Sequence, residues 1–555
     1  MSLNLFTRMV LLAGVSLGIG CGASSISHSS KKPVSDDAAS ESVALIQPRE
    51  TLNLTLLGGY DHGGVAGAEI SALDAVSKRL LTVNGVSNAI DIQDLSRPDQ
   101  PRFVKSVSVD DLGRPTSVVA KHGIIAVSIA AKDKQVTGQV LFLTADGEIL
   151  KKLEVGYEPD MLTISPDGRW LLTANEAEPL PDYSFDPEGS ISMIDLSLGV
   201  DGVSQSDVTN VGFQQFNAQR AALDSSIRIS GPNATVSQDL EPEYIAVSVD
   251  SKTAWITCQE NNAVAILDLD RREVTKLAGL GFKDHSQPGN GFDASDKDGG
   301  ICIGNWPTKG MYQPDGIAAF QIEGQTYLIT ANEGEHRGYE GFNEQVRVAD
   351  LQLDPKVFLD AKKLQKSENL GRLKTTNAFG DHNGDGLHEE IYSYGTRSFT
   401  IWSADVQKVF DSGDQFDRLT AEQHPALFNS DHEASELDGR SDSKGCEPES
   451  VTTGVINGRT YAFVALERIS GIAVYDVTNP AEPVFETYFN NRTQDRHGGD
   501  LGPEGVLFVT AEASPTGRPL LIVSYEVSGT TRFFDLQSTE SAAERTLSAA
   551  ETESR

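Results

Sequence analysis

Ten carboxylates in this chain stand as matched pairs: Asp160 with Glu176, Glu243 with Glu260, Asp315 with Glu333, Glu449 with Glu467, and Glu504 with Glu526. The first acid of each pair opens a short apolar run and the second closes another, as in "WLLTANEAEP" at Trp170 and "YLITANEGEH" at Tyr327. Glu69 with Asn84 is a weaker version, and a further unit carries Thr116 in place of the acid. Two unit charges about 4 Å apart repel by roughly 4 kcal/mol at an effective dielectric of 20. Acids gathered this closely must protonate, pair with Arg, or hold a cation. Hard oxygen ligands select Ca²⁺, with Mg²⁺ as the alternative, over thiophilic metals. The competing assignment makes these acids caps of strand ends, bonded to backbone amides or to Arg468.

A second oxygen-rich stretch is "DHNGDGLHEEIY". Asp381, Asn383, Asp385 and Gly386 match the first half of an EF-hand-type calcium loop, in which alternate oxygens wrap the ion and Gly permits the sharp turn. Position twelve is Tyr392 rather than Glu, so Glu389 or Glu390 must substitute. Hydrolase, Walker and dinucleotide motifs are absent. Arg397, Arg440 and Arg468 are candidate phosphate ligands, because a metal ion beside Arg is the equipment of phosphate-ester hydrolysis. They are equally consistent with ordinary surface charge.

The elements that would position these residues repeat seven times. Each unit has a short strand, a turn such as Pro166-Asp167-Gly168 or Asn457-Gly458, and a second strand, the pattern of an antiparallel hairpin. A third strand follows ("NAIDIQDL", "QVLFLTAD", "GSISMIDL", "NAVAILDL", "SFTIWSAD", "SGIAVYDV", "GTTRFFDL"), and fourth strands are visible in several units. The fold class expected is all-β, a seven-bladed β-propeller with long inserted loops at 200–238, 271–311 and 336–397. The last unit ends after its third strand at Leu536, so the spare strand Leu52–Leu57 is expected to complete it and close the ring. In a propeller the first strand of each unit lines the central channel, which would bring the paired acids to one mouth.

Lys and Arg number 46 against 80 Asp and Glu, a net charge of −34, which excludes a nucleic-acid partner and favours cations. The N-terminus carries a short apolar run ending in Leu17-Gly18-Ile19-Gly20-Cys21. It reads as a signal peptide over residues 1–20 with a lipobox-like site at Cys21, which would tether the protein to a membrane by lipid. Residues 21–48 have the composition of a flexible tether, 49–536 form the propeller, and 537–555 are a polar tail. The expected location is the cell envelope: periplasm, outer membrane or cell surface. With Cys21 lipidated, one disulfide at most remains, Cys302 with Cys446 being the better pair; three buried free thiols are the alternative.

The stretches "ITANEGE", "GTRSFTIWSADVQKVFDSGDQF", "GRSDSKGCEPESV", "RTYAFVALERISGIAVYDVTNP" and "DLGPEGVLFVTAEASPTGRPLLIVSYEVSGT" resemble the choice-of-anchor I family of secreted bacterial proteins, related to mesenchyme-specific cell-surface glycoproteins of biomineralisation. The resemblance spans roughly Leu54 to Leu536. It implies a propeller held at a surface by one of several anchors, here an N-terminal lipid in place of a C-terminal sorting signal. Labels of alkaline phosphatase or phytase type within the family imply a phosphoesterase, with no catalytic residues to carry over. The function expected is a surface-tethered module that binds divalent cations and a protein or phosphoester ligand; the alternative is a Ca²⁺-dependent phosphomonoesterase.

Overall fold

The computed structural model describes residues 47–495 and 498–539. The expected signal peptide, the lipidation at Cys21, most of the tether and the tail beyond residue 539 lie outside them. The described chain is all-β and contains seven four-stranded antiparallel sheets. In chain order the first three are Ser71–Asp74 to Arg102–Ser108, Arg114–Lys121 to Ile149–Tyr157, and Pro159–Ile164 to Val208–Gly212. The fourth runs from Pro242–Val247 to Glu273–Gly279, the fifth from Ile317–Ile322 to Lys408–Asp411, and the sixth from Pro448–Ile456 to Val484–Phe489. The seventh holds Pro503–Val509, Leu520–Tyr525 and Thr530–Ser538, and takes its fourth strand from the N-terminal segment Leu52–Asp61, paired antiparallel from Leu52↔Ser538 to Asp61↔Thr530.

The first strand of each sheet touches the first strand of the next, and Pro503–Val509 touches Ser71–Asp74, so the seven sheets close on themselves. Each neighbouring pair shares its own apolar cluster. Val83 and Ile90 meet Val127 and Leu141 between the first and second sheets. Ile329 and Phe399 meet Val464 and Tyr475 between the fifth and sixth. Leu73 and Leu80 meet Leu520, Ile522 and Phe533 where the seventh returns to the first. This is the β-propeller solution to burying both faces of a small sheet: no sheet has a partner except its neighbours, and closure removes the open end.

The inserted segments are more ordered than their sequence implied. Val208–Gly212, inside the 200–238 stretch read as loop, is the fourth strand of the third sheet, and Glu273–Gly279 is the fourth strand of the fourth. Outer strands are half exposed, so their apolar signal is weak. Short strands at Phe282–Asp284, Lys309–Met311, Gln345–Arg347, Lys374–Thr376 and Tyr392–Ser393 make a separate five-stranded sheet over the ring. It has its own core of Phe292, Val348, Leu351, Leu370, Leu373 and Ile391. Cys446 is a buried free thiol packed among Phe399, Phe416 and Leu466, so the expected Cys302–Cys446 bridge does not form. Cys302 belongs instead to the inserted layer, its backbone N–H donating to Asp293.

An acidic channel mouth as the candidate functional site

The paired acids meet because of how each hairpin begins. Proline supplies no N–H, so the ladder cannot run regularly through it. The pairs Pro159↔Asn175, Pro242↔Cys258, Pro448↔Leu466 and Pro503↔Tyr525 mark the open end of four hairpins, and the register slips just after each proline. The slip takes Asp160, Glu243, Glu449 and Glu504 out of the ladder, where a bulge re-aims a side chain. On the returning strand, the echoed T-A-N-E divides into two jobs. Thr173 donates to Asn175 at 2.9 Å and Thr330 to Asn332 at 2.8 Å, while Asn175 and Asn332 donate onward to Ser192 and Thr400 on the third strands. That buried polar ladder pins the strand end; the next residue, Glu176 or Glu333, emerges at the mouth.

The acids do not form one uniform ring. Asp315, Glu449 and Glu504, from the fifth, sixth and seventh sheets, bring oxygens to within 4.8 Å of one another. Among the described residues, none of the three forms an ion pair with Lys, Arg or His, and Glu449 Oε2 is buried without a hydrogen-bond donor. Burial raises the Asp315 carboxyl to about 6. Burial, then the charges of Glu333 and Glu504, pushes Glu449 far above its usual range, and burial with Glu526 does the same to Glu504.

Glu333, Glu447 and Glu467 form a second group with the same spacing and a different solution. Lys444 Nζ lies 2.5 Å from Glu333, 3.0 Å from Glu335 and 3.0 Å from Glu447. Arg440 pairs with Glu447; Arg468 Nε is 3.0 Å from Glu447 and 3.2 Å from Glu467, and His432 Nδ1 is 2.9 Å from Glu467. Here the pairing expected under the competing assignment is what the chain adopts. A third group, Glu158, Glu176 and Glu178, has Lys134 against Glu158 and Glu178.

The remaining acids complete the mouth. Burial and its neighbours Asp315 and Glu158 raise Asp160 to about 7, with Arg114 opposing. Glu243 is pushed far up by burial and by Glu176, Glu260 and Asp160; Glu260 reaches about 6 chiefly through burial. Glu526 is raised by burial and Glu467, and Glu69 to about 8 by burial. Asn84 turns away to donate to Asp91 at 2.9 Å, and Thr116 donates to the carbonyl of Pro159 at 2.7 Å. The second sheet thus supplies no acid, and its Arg114 faces its neighbours' carboxylates instead.

The loop at Asp381 has the backbone arrangement expected. Asp381 accepts from the N–H groups of Gly384 (2.8 Å), Asp385 (3.2 Å) and Gly386 (2.8 Å), and Gly384 and Gly386 have φ of +74° and +85°. Asp381, Asp385 and Glu389 place oxygens within 4.8 Å, while Asn383 donates through Nδ2 to Glu389. Of the two acids, Glu389 lies beside Asp381 and Asp385, while Glu390 accepts from the Tyr392 hydroxyl.

The three arginines proposed for phosphate are engaged internally. Arg397, buried over the Phe292 ring, donates to the carbonyls of Asp293 (2.8 Å), Ser441 (2.7 Å) and Ser443 (3.0 Å). Arg440 and Arg468 are held by Glu447 and Glu467. Sequence reasoning missed Glu158, Glu178 and Glu447, although Glu158-Pro159-Asp160, Glu241-Pro242-Glu243 and Glu447-Pro448-Glu449 repeat an acid before the proline. It also missed Asp293, Asp298 and Asp438, which gather in the inserted layer and where burial raises Asp293 to about 8.

Fold and site together define a β-propeller with an acidic channel mouth. The choice-of-anchor I domain model matches residues 69–480, and the chain belongs to that family. It is 31% identical to Gigasin-3a of Magallana gigas over 191 residues, 31% of this chain and 67% of that protein. It is 26% identical to the mesenchyme-specific cell surface glycoprotein of Strongylocentrotus purpuratus over 331 residues, 51% of this chain and 42% of the glycoprotein, so it spans less than half of that relative. Among solved structures, the β-propeller domain of Myceliophteria thermophila Cps50 (Swd1) superposes with a TM-score of 0.42 at 8% identity, over 87% of this chain and 99% of that one. Among the described residues no helix is long and apolar enough to cross a membrane.

Proposed function

We propose that the protein is a seven-bladed propeller acting outside the cytoplasm as a surface-associated binding module, and that it holds a divalent cation, Ca²⁺ before Mg²⁺, at Asp315, Glu449 and Glu504. The cell-surface relative supports the location, and a lipid at Cys21 is the anchor we propose. One observation carries the cation reading: of two neighbouring three-carboxylate groups with the same spacing, one is filled by Lys444, Arg440 and Arg468 and the other has no basic partner among the described residues. A buried carboxylate oxygen with no donor costs several kcal/mol, which a bound cation removes. The loop at Asp381 is the second calcium position we propose, exposed and peripheral. The phosphomonoesterase reading is not carried further, because Arg397, Arg440 and Arg468 spend their donors inside the protein.

The test is calcium titration of the full chain by calorimetry and by melting temperature. A ligand present at 100 times its Kd stabilises by about 2.7 kcal/mol. Glu449→Gln with Glu504→Gln keeps size while removing two charges; it is expected to lose that binding event and the share of the chelator-dependent fall in melting temperature that it supplies, leaving only the response of the Asp381 loop. A double variant that keeps the wild-type calcium response at this site overturns the reading.

A further inference from the structure

The two mouths of the ring are built differently. The inserted layer leaves the ring after Gly279 and after Ala331, and both residues stand at the acidic end of their sheets. At the opposite end the first and second strands of the second to sixth sheets are joined only by turns of two to five residues. A cavity of about 1170 Å³ opens there, walled by Val249, Phe320, Val455 and Phe508 from the fourth to seventh sheets in turn. Val249 and Val455 are 59% and 62% exposed. Phe508 is packed from behind: Phe463 stacks on it at 6.0 Å, and it lies so close to Gly454 that a Cβ there would stand 2.4 Å from the ring. Single apolar side chains on a surface are ordinary, but apolar residues from four consecutive sheets around one cavity mark a contact surface.

The chain itself leaves from this cavity. Leu536, Gln537 and Ser538 line it, and Thr539, the last described residue, donates its N–H to the Thr51 carbonyl at 2.8 Å. Residues 540–555 follow, and Leu547 is their one large apolar side chain, with Ala543 and Ala550 at helical spacing on either side. From Thr539 to Leu547 the chain spans about 12 Å as helix and about 27 Å when extended. The cavity that begins at Ser538 is therefore within reach. So short a tether holds its end at roughly millimolar effective concentration, and a contact too weak to retain a separate molecule is still occupied. A second copy or a foreign peptide has no such advantage.

We propose that residues 540–555 fold back over this mouth and seat Leu547 in the cavity beside Val455 and Phe508, as an intramolecular cover. The acidic mouth is untouched by it, and the cover does not depend on any cation held there. A ligand of the covered mouth must first displace the tail, so its affinity is reduced in proportion to the fraction of molecules in which the cover is open.

Arg545, two residues before Leu547, is the internal trypsin site of the tail and supplies the probe. In limited trypsin digestion of the full chain, followed by mass spectrometry, release of residues 546–555 is expected to run about fivefold slower or more than from a synthetic peptide of residues 537–555. Val455→Asp, at an exposed turn position outside the tail, is expected to restore the rate of the peptide with the melting temperature unchanged. Leu547→Asp is expected to do the same, judged against a peptide carrying that change. Should Val455→Asp lower the melting temperature, the Leu547→Asp comparison decides alone. Cleavage of the wild type at the rate of the peptide overturns the proposal, as does protection that survives the substitutions. Protection that is lost on hundredfold dilution assigns the cavity to the tail of a second copy and overturns the intramolecular cover.

Discussion

Lys444 is the residue on which the compensated part of the mouth turns. Its ammonium is buried and serves Glu333, Glu335 and Glu447 at once, and those charges hold it far above the ordinary lysine range despite burial. Removing one partner of a buried ion pair strands the others and costs about 3–5 kcal/mol. Lys444→Met is therefore expected to lower the unfolding free energy by that amount in urea denaturation at pH 7. Adding Glu333→Gln to it is expected to restore part of the loss, since one stranded charge is gone. A loss confined to a few tenths of a kcal/mol would mean that water reaches these groups freely.

At the scale of the element, the N-terminal strand is the ring's fastener. Leu52–Asp61 pairs along the length of Thr530–Ser538, Leu52 is buried against Leu536, and just before it Arg49 pairs with Asp476 and Glu486 of the sixth sheet. Without that strand the seventh sheet would expose an unpaired edge and part of its apolar face. Deleting Leu52–Leu57 is expected to cause a large fall in melting temperature and a gain in aggregation by light scattering; an unchanged melt would show that three strands suffice to close the seventh sheet. The T-A-N ladder makes a subtler element. Asn332→Ala leaves the Thr330 and Thr400 hydroxyls without their buried partner, and is expected to cost about 1–3 kcal/mol by the same denaturation assay.

For the whole molecule, the raised carboxyls fix the sign of the pH dependence. Asp315 and Glu260 stand at about 6, Asp160 at about 7, and Glu69 at about 8, against 3.8 and 4.5 for free Asp and Glu. Between those free values and pH 8 the folded state binds more protons than the unfolded, so stability falls as pH rises. Glu335 and Glu447 are held low despite their burial, chiefly by Lys444; their stabilisation is lost only as pH drops below about 4.5, so it stays flat across this window. In chelator, the melting temperature is expected to decline from pH 5 to pH 8. Saturating Ca²⁺ is expected to flatten that decline, because the ion replaces the protons. A melting temperature that rises with pH in chelator would contradict the buried-acid account.

The repeat, the hairpins and the convergence of Asp160, Glu243, Asp315, Glu449 and Glu504 were readable in the sequence because they depend on local chemistry: alternating strands, turn residues, and a proline that ends a ladder. So was the oxygen-rich turn at Asp381, whose bonds join residues within a few positions of each other. Which acids remain uncompensated was not readable. Lys444 lies 111 residues from Glu333 in the chain, and only the closed ring and the layer above it bring them together. The same holds for the five-stranded sheet, built from strands of two or three residues with no hairpin signature, and for Cys446, which the fold buries in the fifth–sixth sheet core away from the inserted layer that holds Cys302. Local sequence determined where each carboxylate would point; long-range packing alone decided which of them would find a cation within the chain, because charge balance in a buried mouth is set by neighbours that the sequence keeps far apart.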